Sequence, residues 1–135
     1  MTRLLCLDFD GVIHSYESGW VYADFIPDPP VPGAFEFIYQ ALQHDFEVNI
    51  FSSRSHQDGG IRAMQIWMEY WCRRELDNTE PTWRATYVID NLIWVPRCWP
   101  TYKPSAFLTI DDRGFTFTGK WPDVSELKRF KPWNK

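Results

Sequence analysis

Apolar residues in this chain follow two rhythms. Leu4-Leu5-Cys6-Leu7 with Phe9 is an unbroken apolar run rather than an alternating one, which predicts a strand over Leu4–Phe9 covered on both faces, as in a parallel sheet. A similar run predicts a second strand over Glu47–Phe51, and a third is expected over Ala106–Ile110. Between them the spacing turns helical. Phe35, Ile38 and Leu42 fall at i, i+3 and i+7 with Ala34 and Ala41 beside them, predicting a helix from near Gly33 to His44-Asp45. Ile61, Met64, Met68 and Trp71 stripe a second helix that follows Gly59-Gly60 and runs to about Leu76. Residues 12–26 place aromatic-rich stretches on both sides of Ser18-Gly19, which reads as a β-hairpin. Pro27 to Gly33 holds four prolines and punctuates the chain. A further strand is expected within Ala85–Val95, and a last one over Phe115–Thr118 before a turn at Gly119-Lys120.

Strand, helix, strand, helix, strand is the order that right-handed crossovers wind into an α/β fold. The expectation is a doubly wound, three-layer, Rossmann-like parallel sheet with a short β-hairpin flap after the first strand. The length of 135 residues fits one domain, assigned to residues 1–121, with 122–135 as a C-terminal tail packed on or extending from it. Ligands of such sheets bind beyond the carboxyl ends of the strands. The polar signals gather there: Asp8 and Asp10 after the first strand, Ser52 after the second, Asp111 and Asp112 after the last.

Asp8-Phe9-Asp10-Gly11 carries the most chemistry. Residues i and i+2 of a strand share a face, so the two carboxylates are expected to emerge together where the strand runs out. Gly11 allows a sharp departure at positive φ. A hard divalent cation such as Mg²⁺ relieves the repulsion between neighbouring carboxylates through oxygen ligands. A calcium loop of the EF-hand type is excluded, because the acidic ligands that should follow Asp8, including a glutamate at the twelfth loop position, are missing.

Composition narrows the classes. A hydrophobic fraction of 44% with eight tryptophans excludes a disordered chain. A net charge of −4 gives no overall nucleic-acid footprint, although Lys128, Arg129, Lys131 and Lys135 cluster near Phe130 and Trp133. Cys6, Cys72 and Cys98 are widely spaced and form neither a C-x-x-C pair nor a zinc pattern, which fits a reducing compartment. No apolar run approaches the roughly 18 residues of a membrane span, and no charged-then-apolar leader opens the chain. A cytoplasmic protein without a membrane partner is expected.

With these elements placed, the chain resembles the haloacid dehalogenase-like (HAD) superfamily of phosphohydrolases. The first motif of that superfamily matches Leu7-Asp8-Phe9-Asp10-Gly11-Val12. The second, an apolar strand ending in Ser or Thr, matches Val48-Asn49-Ile50-Phe51-Ser52. The third, a lysine often followed by proline, matches Lys103-Pro104, and the fourth, a strand ending in acids, matches Leu108-Thr109-Ile110-Asp111-Asp112. The resemblance implies that Asp8 is a nucleophile forming an aspartyl-phosphate and that Asp10 is the general acid and base. It implies that Ser52 and Lys103 hold the phosphate. Asp8, Asp10 (through its carbonyl), Asp111 and Asp112 would form a Mg²⁺ site. Gly11, Ser53, Arg54, His14, Tyr16 and Trp20 are the expected substrate contacts. Gly11 opens the loop after Asp8, whose backbone amides can cradle phosphate oxygens; Arg54 follows the second motif, to touch a second phosphate or form an ordinary salt bridge, and His14 belongs to the flap. Tyr16 and Trp20 of the flap are candidates to stack on a base, or else to pack the hairpin itself.

Neither stretch between motifs is long enough for a full cap domain, so the resemblance is to a compact, capless member. An open site suits a large substrate. The expected partner is a phosphorylated small molecule, a nucleotide or a nucleic-acid terminal phosphate. A broad small-metabolite phosphatase and a non-catalytic metal-binding module with the same fold are the alternatives.

Overall fold

The computed structural model describes residues 2–135. The first apolar run forms strand β1 (Arg3–Leu7), the second β2 (Phe46–Ile50) and the third β3 (Leu108–Ile110). All three are parallel, in the order β2-β1-β3. Leu7 lies opposite Ile50 on one side and Ile110 on the other. β1 is therefore the central strand, which explains why Leu5, Cys6 and Leu7 are all buried and why the run does not alternate. β3 is an edge strand, and its Leu108 is half exposed.

The first helix, α1 (Ala34–Gln43), turns Phe35, Ile38 and Ala41 inward and packs on β2. The second, α2 (Gly60–Leu76), buries Met64, Trp67, Met68, Cys72 and Leu76 and packs on α1. Its start is tightly constrained. A Cβ added at Gly60 would lie 1.9 Å from the Arg54 carbonyl oxygen, so only glycine lets α2 begin against that loop. Helix α3 (Arg84–Val88) runs into a π-helical turn, Ile89–Ile93, and a single 3₁₀ turn, Pro96–Cys98, follows. A short α4 (Val124–Leu127) is capped by the Asp123 side chain, which accepts from the Ser125 N–H. Among the described residues, the architecture is a mixed α/β structure with a small all-parallel sheet and four α-helices. Among the described residues, no helix is long and apolar enough to cross a membrane.

Three expected elements are absent. The strand placed within Ala85–Val95 is helical. Ala85, Val88, Ile89, Leu92 and Ile93 are buried at i, i+3, i+4, i+7 and i+8, a helical period masked by β-branched residues that favour strands. Phe115–Thr118 has no ladder partner, and Phe115 and Phe117 are exposed. The hairpin over residues 12–26 does not form. His14 makes only isolated bridges, to Asp10 and Pro30. Tyr16 adopts a left-handed φ of 63°, and its carbonyl accepts the Gly19 N–H at 3.2 Å to close a local turn. Farther along, the carbonyls of Tyr22, Ala23 and Phe25 are taken by the Arg54 guanidinium rather than by a strand.

The C-terminal segment returns to the loop after β1. The Trp133 indole Nε1–H donates to the Gly11 carbonyl at 2.7 Å, and Asn134 Nδ2 donates to the Ser15 carbonyl at 3.0 Å.

Candidate active site

The site begins where the ladders run out. Past the last paired residues, the Asp8 N–H donates to the Ile110 carbonyl at 3.0 Å and the Phe51 N–H donates to the Leu7 carbonyl at 3.1 Å. Parallel strands held in this register deliver Asp8, Ser52 and Asp111 to one edge of the sheet. There, carboxylate oxygens of Asp8, Asp111 and Asp112 lie within 4.8 Å of one another. Asp8 Oδ1 accepts the N–H of Phe9 at 2.8 Å, and Asp111 Oδ1 accepts the N–H of Arg113 at 2.9 Å. Gly11 packs directly against Asp112. A Cβ there would stand 2.2 Å from Asp112 Oδ2, and the residue's φ of +83° already favours glycine.

Crowding three acids sets the electrostatics. Burial, then the Asp111 charge, pushes the Asp8 carboxyl from its ordinary 3.8 up to about 8, and the Phe9 N–H offsets only part of this. Burial also raises the Asp112 carboxyl. A cluster of hard oxygen donors that resists ionisation by itself is chemically suited to a Mg²⁺-like cation, whose charge would lift that resistance.

Asp8 and Asp111 open onto a cleft of about 200 Å³ together with Ser52, Ser53 and Lys103. Ser52 is buried, its Oγ accepting the Arg54 N–H at 3.2 Å and its own hydroxyl hydrogen left to donate. Ser53 and Lys103 are exposed at the rim. Lys103 pairs with no carboxylate among the described residues. A separate cavity of about 250 Å³, bounded by Val12, Val31, Phe37 and Ile110, is apolar and holds no titratable side chain.

Asp10 departs from expectation. β1 stops at Leu7, and the chain turns at Phe9, whose carbonyl accepts the N–H groups of Val12, Ile13 and His14 at 3.2, 2.9 and 3.0 Å. The two-residue alternation of a strand does not survive that turn. The Asp10 side chain therefore does not join the acidic cluster. It meets Arg54 Nε at 3.0 and 3.2 Å and His14 Nδ1 at 2.9 Å.

That pairing turns two expected substrate contacts away from the cleft. Arg54 and His14 are both 0% exposed and face Asp10 rather than the cleft. Gly11 is also committed internally: its N–H donates to the His14 carbonyl at 2.8 Å, and its carbonyl is held by Trp133. Tyr16 is partly buried with its ring edge-on to His14. Trp20 lies 4.7 Å from the Arg54 guanidinium and stays 42% exposed. In sequence Trp133 stands only in a basic tail, and nothing in its spacing marks it or Asn134 as holding the loop after β1. Comparison with protein-family models, curated proteins and solved structures finds no match.

Proposed function

We propose that this chain is a Mg²⁺-dependent phosphohydrolase of the HAD type, in a compact, capless form built on a doubly wound, Rossmann-like core, which cleaves phosphate monoesters through an aspartyl-phosphate. One observation carries the reading. A carboxylate at the end of the central strand shares a single cleft with a second carboxylate, a hydroxyl donor and a lysine, and a third carboxylate, that of Asp112, lies within reach of both acids.

Asp8, Asp111 and Asp112 would hold Mg²⁺, joined by the Asp10 carbonyl as the resemblance implies, and the bound ion would neutralise charge on the phosphate. Asp8 is the nucleophile. Its oxygen bonds to phosphorus as the ester P–O bond breaks, and the leaving oxygen takes a proton from Asp10. Water then attacks the phosphorus, its proton passes to Asp10, and the bond to Asp8 breaks to release phosphate. The Ser52 hydroxyl donates to a phosphate oxygen. Lys103 supplies a positive charge at the rim, so the chain positions and neutralises the phosphate from two sides. We assign the substrate to nucleotides or nucleic-acid terminal phosphates, because the exposed rings of Trp20 and Tyr22 lie on the loop tied to Asp10 through Arg54. Three buried free thiols agree with action in a reducing cytoplasm.

The test is phosphate release with Mg²⁺ or chelator, for wild type and Asp8→Asn. The substrates are an aryl phosphate, a nucleotide panel and 5′- or 3′-phosphorylated oligonucleotides. Turnover is expected to fall at least about 1,000-fold in the variant and to vanish in chelator, as loss of a covalent nucleophile demands. Equal turnover in variant and wild type would refute the nucleophile role. Release from small aryl phosphates alone would refute the substrate assignment.

A further inference from the structure

Asp10 is gripped from two sides by groups that water does not reach. Arg54 Nε lies 3.2 Å from Oδ1 and 3.0 Å from Oδ2, and His14 Nδ1 lies 2.9 Å from Oδ1. The tautomer of His14 follows from its other nitrogen. Nε2 accepts the Asp28 backbone N–H at 3.2 Å, so the ring hydrogen is on Nδ1 and donates to Asp10. The single Nε–H is shared by both oxygens, so Oδ1 takes its longer arm plus the His14 Nδ1–H, and Oδ2 takes the shorter arm alone. Each carboxylate oxygen offers two lone-pair sites, which makes Oδ2 the less occupied oxygen. The Asp10 side chain keeps 12% of its surface accessible, while those of its two holders keep none that would let a substrate touch them.

We propose that Arg54, with His14, is a positioning residue for Asp10. It fixes the carboxylate so that the proton is exchanged at Oδ2, and it locks the loop of exposed rings to that acid. The inference rests on the phosphohydrolase reading. Arg54 is built for such a task. Its backbone is pinned at both ends, by Ser52 Oγ on its N–H and by the Gln57 N–H, which donates to its carbonyl at 3.2 Å. Its Nη1 donates to the carbonyls of Tyr22, Ala23 and Phe25 at 3.1, 2.9 and 3.1 Å. Trp20 roofs the guanidinium. One planar fork therefore spans the acid and the loop, and a lysine's single ammonium cannot do both.

A purely structural clamp and a positioning residue differ in one readout, the dependence on leaving group. A dinitrophenolate leaves without a proton, whereas an alkoxide needs one. Single-turnover release is measured with 2,4-dinitrophenyl phosphate and with an alkyl phosphate, for wild type, Asp8→Asn, Asp10→Asn, Arg54→Lys and His14→Phe. Arg54→Lys and His14→Phe are expected to lower alkyl release about 100-fold, in the range of general acid catalysis, and to change dinitrophenolate release less than about fivefold, as Asp10→Asn does. His14→Phe keeps an aromatic ring against Phe9 and Trp67 and carries the test if circular dichroism shows that Arg54→Lys does not fold. Equal losses for both leaving groups, in a folded variant of an active enzyme, overturn the positioning role and leave the phosphohydrolase reading standing. A wild type that releases neither leaving group, like Asp8→Asn, takes down both.

Discussion

Replacing the nucleophile candidate should stabilise the cation-free protein, and more so as pH rises. Asp8 ionises near 3.8 in the unfolded chain but only at about 8 in the folded one, because burial and the Asp111 charge oppose its anion. Below pH 4 both states hold the proton and the residue costs nothing. Between about pH 4 and 8 the folded state keeps a proton that the unfolded state has released, so stability falls as pH rises and levels off above 8. The slope is at most about 1.4 kcal/mol per pH unit. From pH 6 to 8 that bounds the loss near 2.7 kcal/mol. Sharing the proton with Asp112 and partial screening by water reduce it to roughly 1–2 kcal/mol, or about 3–6 °C in melting temperature for a chain of this length. Asp8→Asn removes the ionisation and keeps the shape. The assay is thermal unfolding by circular dichroism in chelator at pH 6, 7 and 8, and the difference between variant and wild type cancels the titrating groups outside the acidic cluster. The variant is expected to gain on wild type steadily across the window. Added Mg²⁺ should then raise the wild type by about 2.7 kcal/mol at a hundredfold excess over Kd, and the variant far less. A difference that stays flat or shrinks from pH 6 to 8 would refute the electrostatic reasoning.

Two further substitutions test how the loop after β1 is held. Gly11→Ala drives a methyl toward Asp112 Oδ2 at a left-handed φ; it should cost about 1–3 kcal/mol of stability and weaken Mg²⁺ binding in calorimetry, and unchanged affinity would show that Gly11 does not place Asp112. Trp133→Phe keeps the ring and removes the N–H that holds the Gly11 carbonyl; it should cost about 1 kcal/mol and speed amide exchange over Gly11–Tyr16, whereas unchanged exchange would mean that the C-terminal segment does not brace the loop.

Apolar periodicity was legible wherever burial alone chose the structure. The stripes of α1 and α2 and the unbroken run of β1 place those elements within a residue or two, because each buried position there answers to one packing partner. The meeting of Asp8, Ser52 and Asp111 was legible for a topological reason: parallel strands must end on one edge. Where polar groups chose the structure, the pattern misled. Residues 12–26 look like two strands because their rings are large and closely spaced. Their backbone carbonyls instead answer to a guanidinium about thirty residues away, and hydrophobic periodicity cannot register a partner of that kind. Asp10 shows the same limit at closer range. The alternation that governs β1 is a property of extended backbone, and it lapses at the Phe9 turn, so two aspartates one residue apart in sequence belong to different electrostatic neighbourhoods. One lies among acids and is held back from ionising; the other lies between a guanidinium and an imidazole N–H. In sequence Arg54 is a polar residue in a serine-rich loop, with nothing to separate it from a solvated arginine. Burial makes it consequential, because an arginine removed from water must be matched by a carboxylate and by carbonyls, and here those partners are the acid and the ring-bearing loop. The acidic cluster and the Asp10 bracket are therefore separable devices. A variant that disables one should leave the geometry of the other intact, and Asp8→Asn with Arg54→Lys is the pair that can show it.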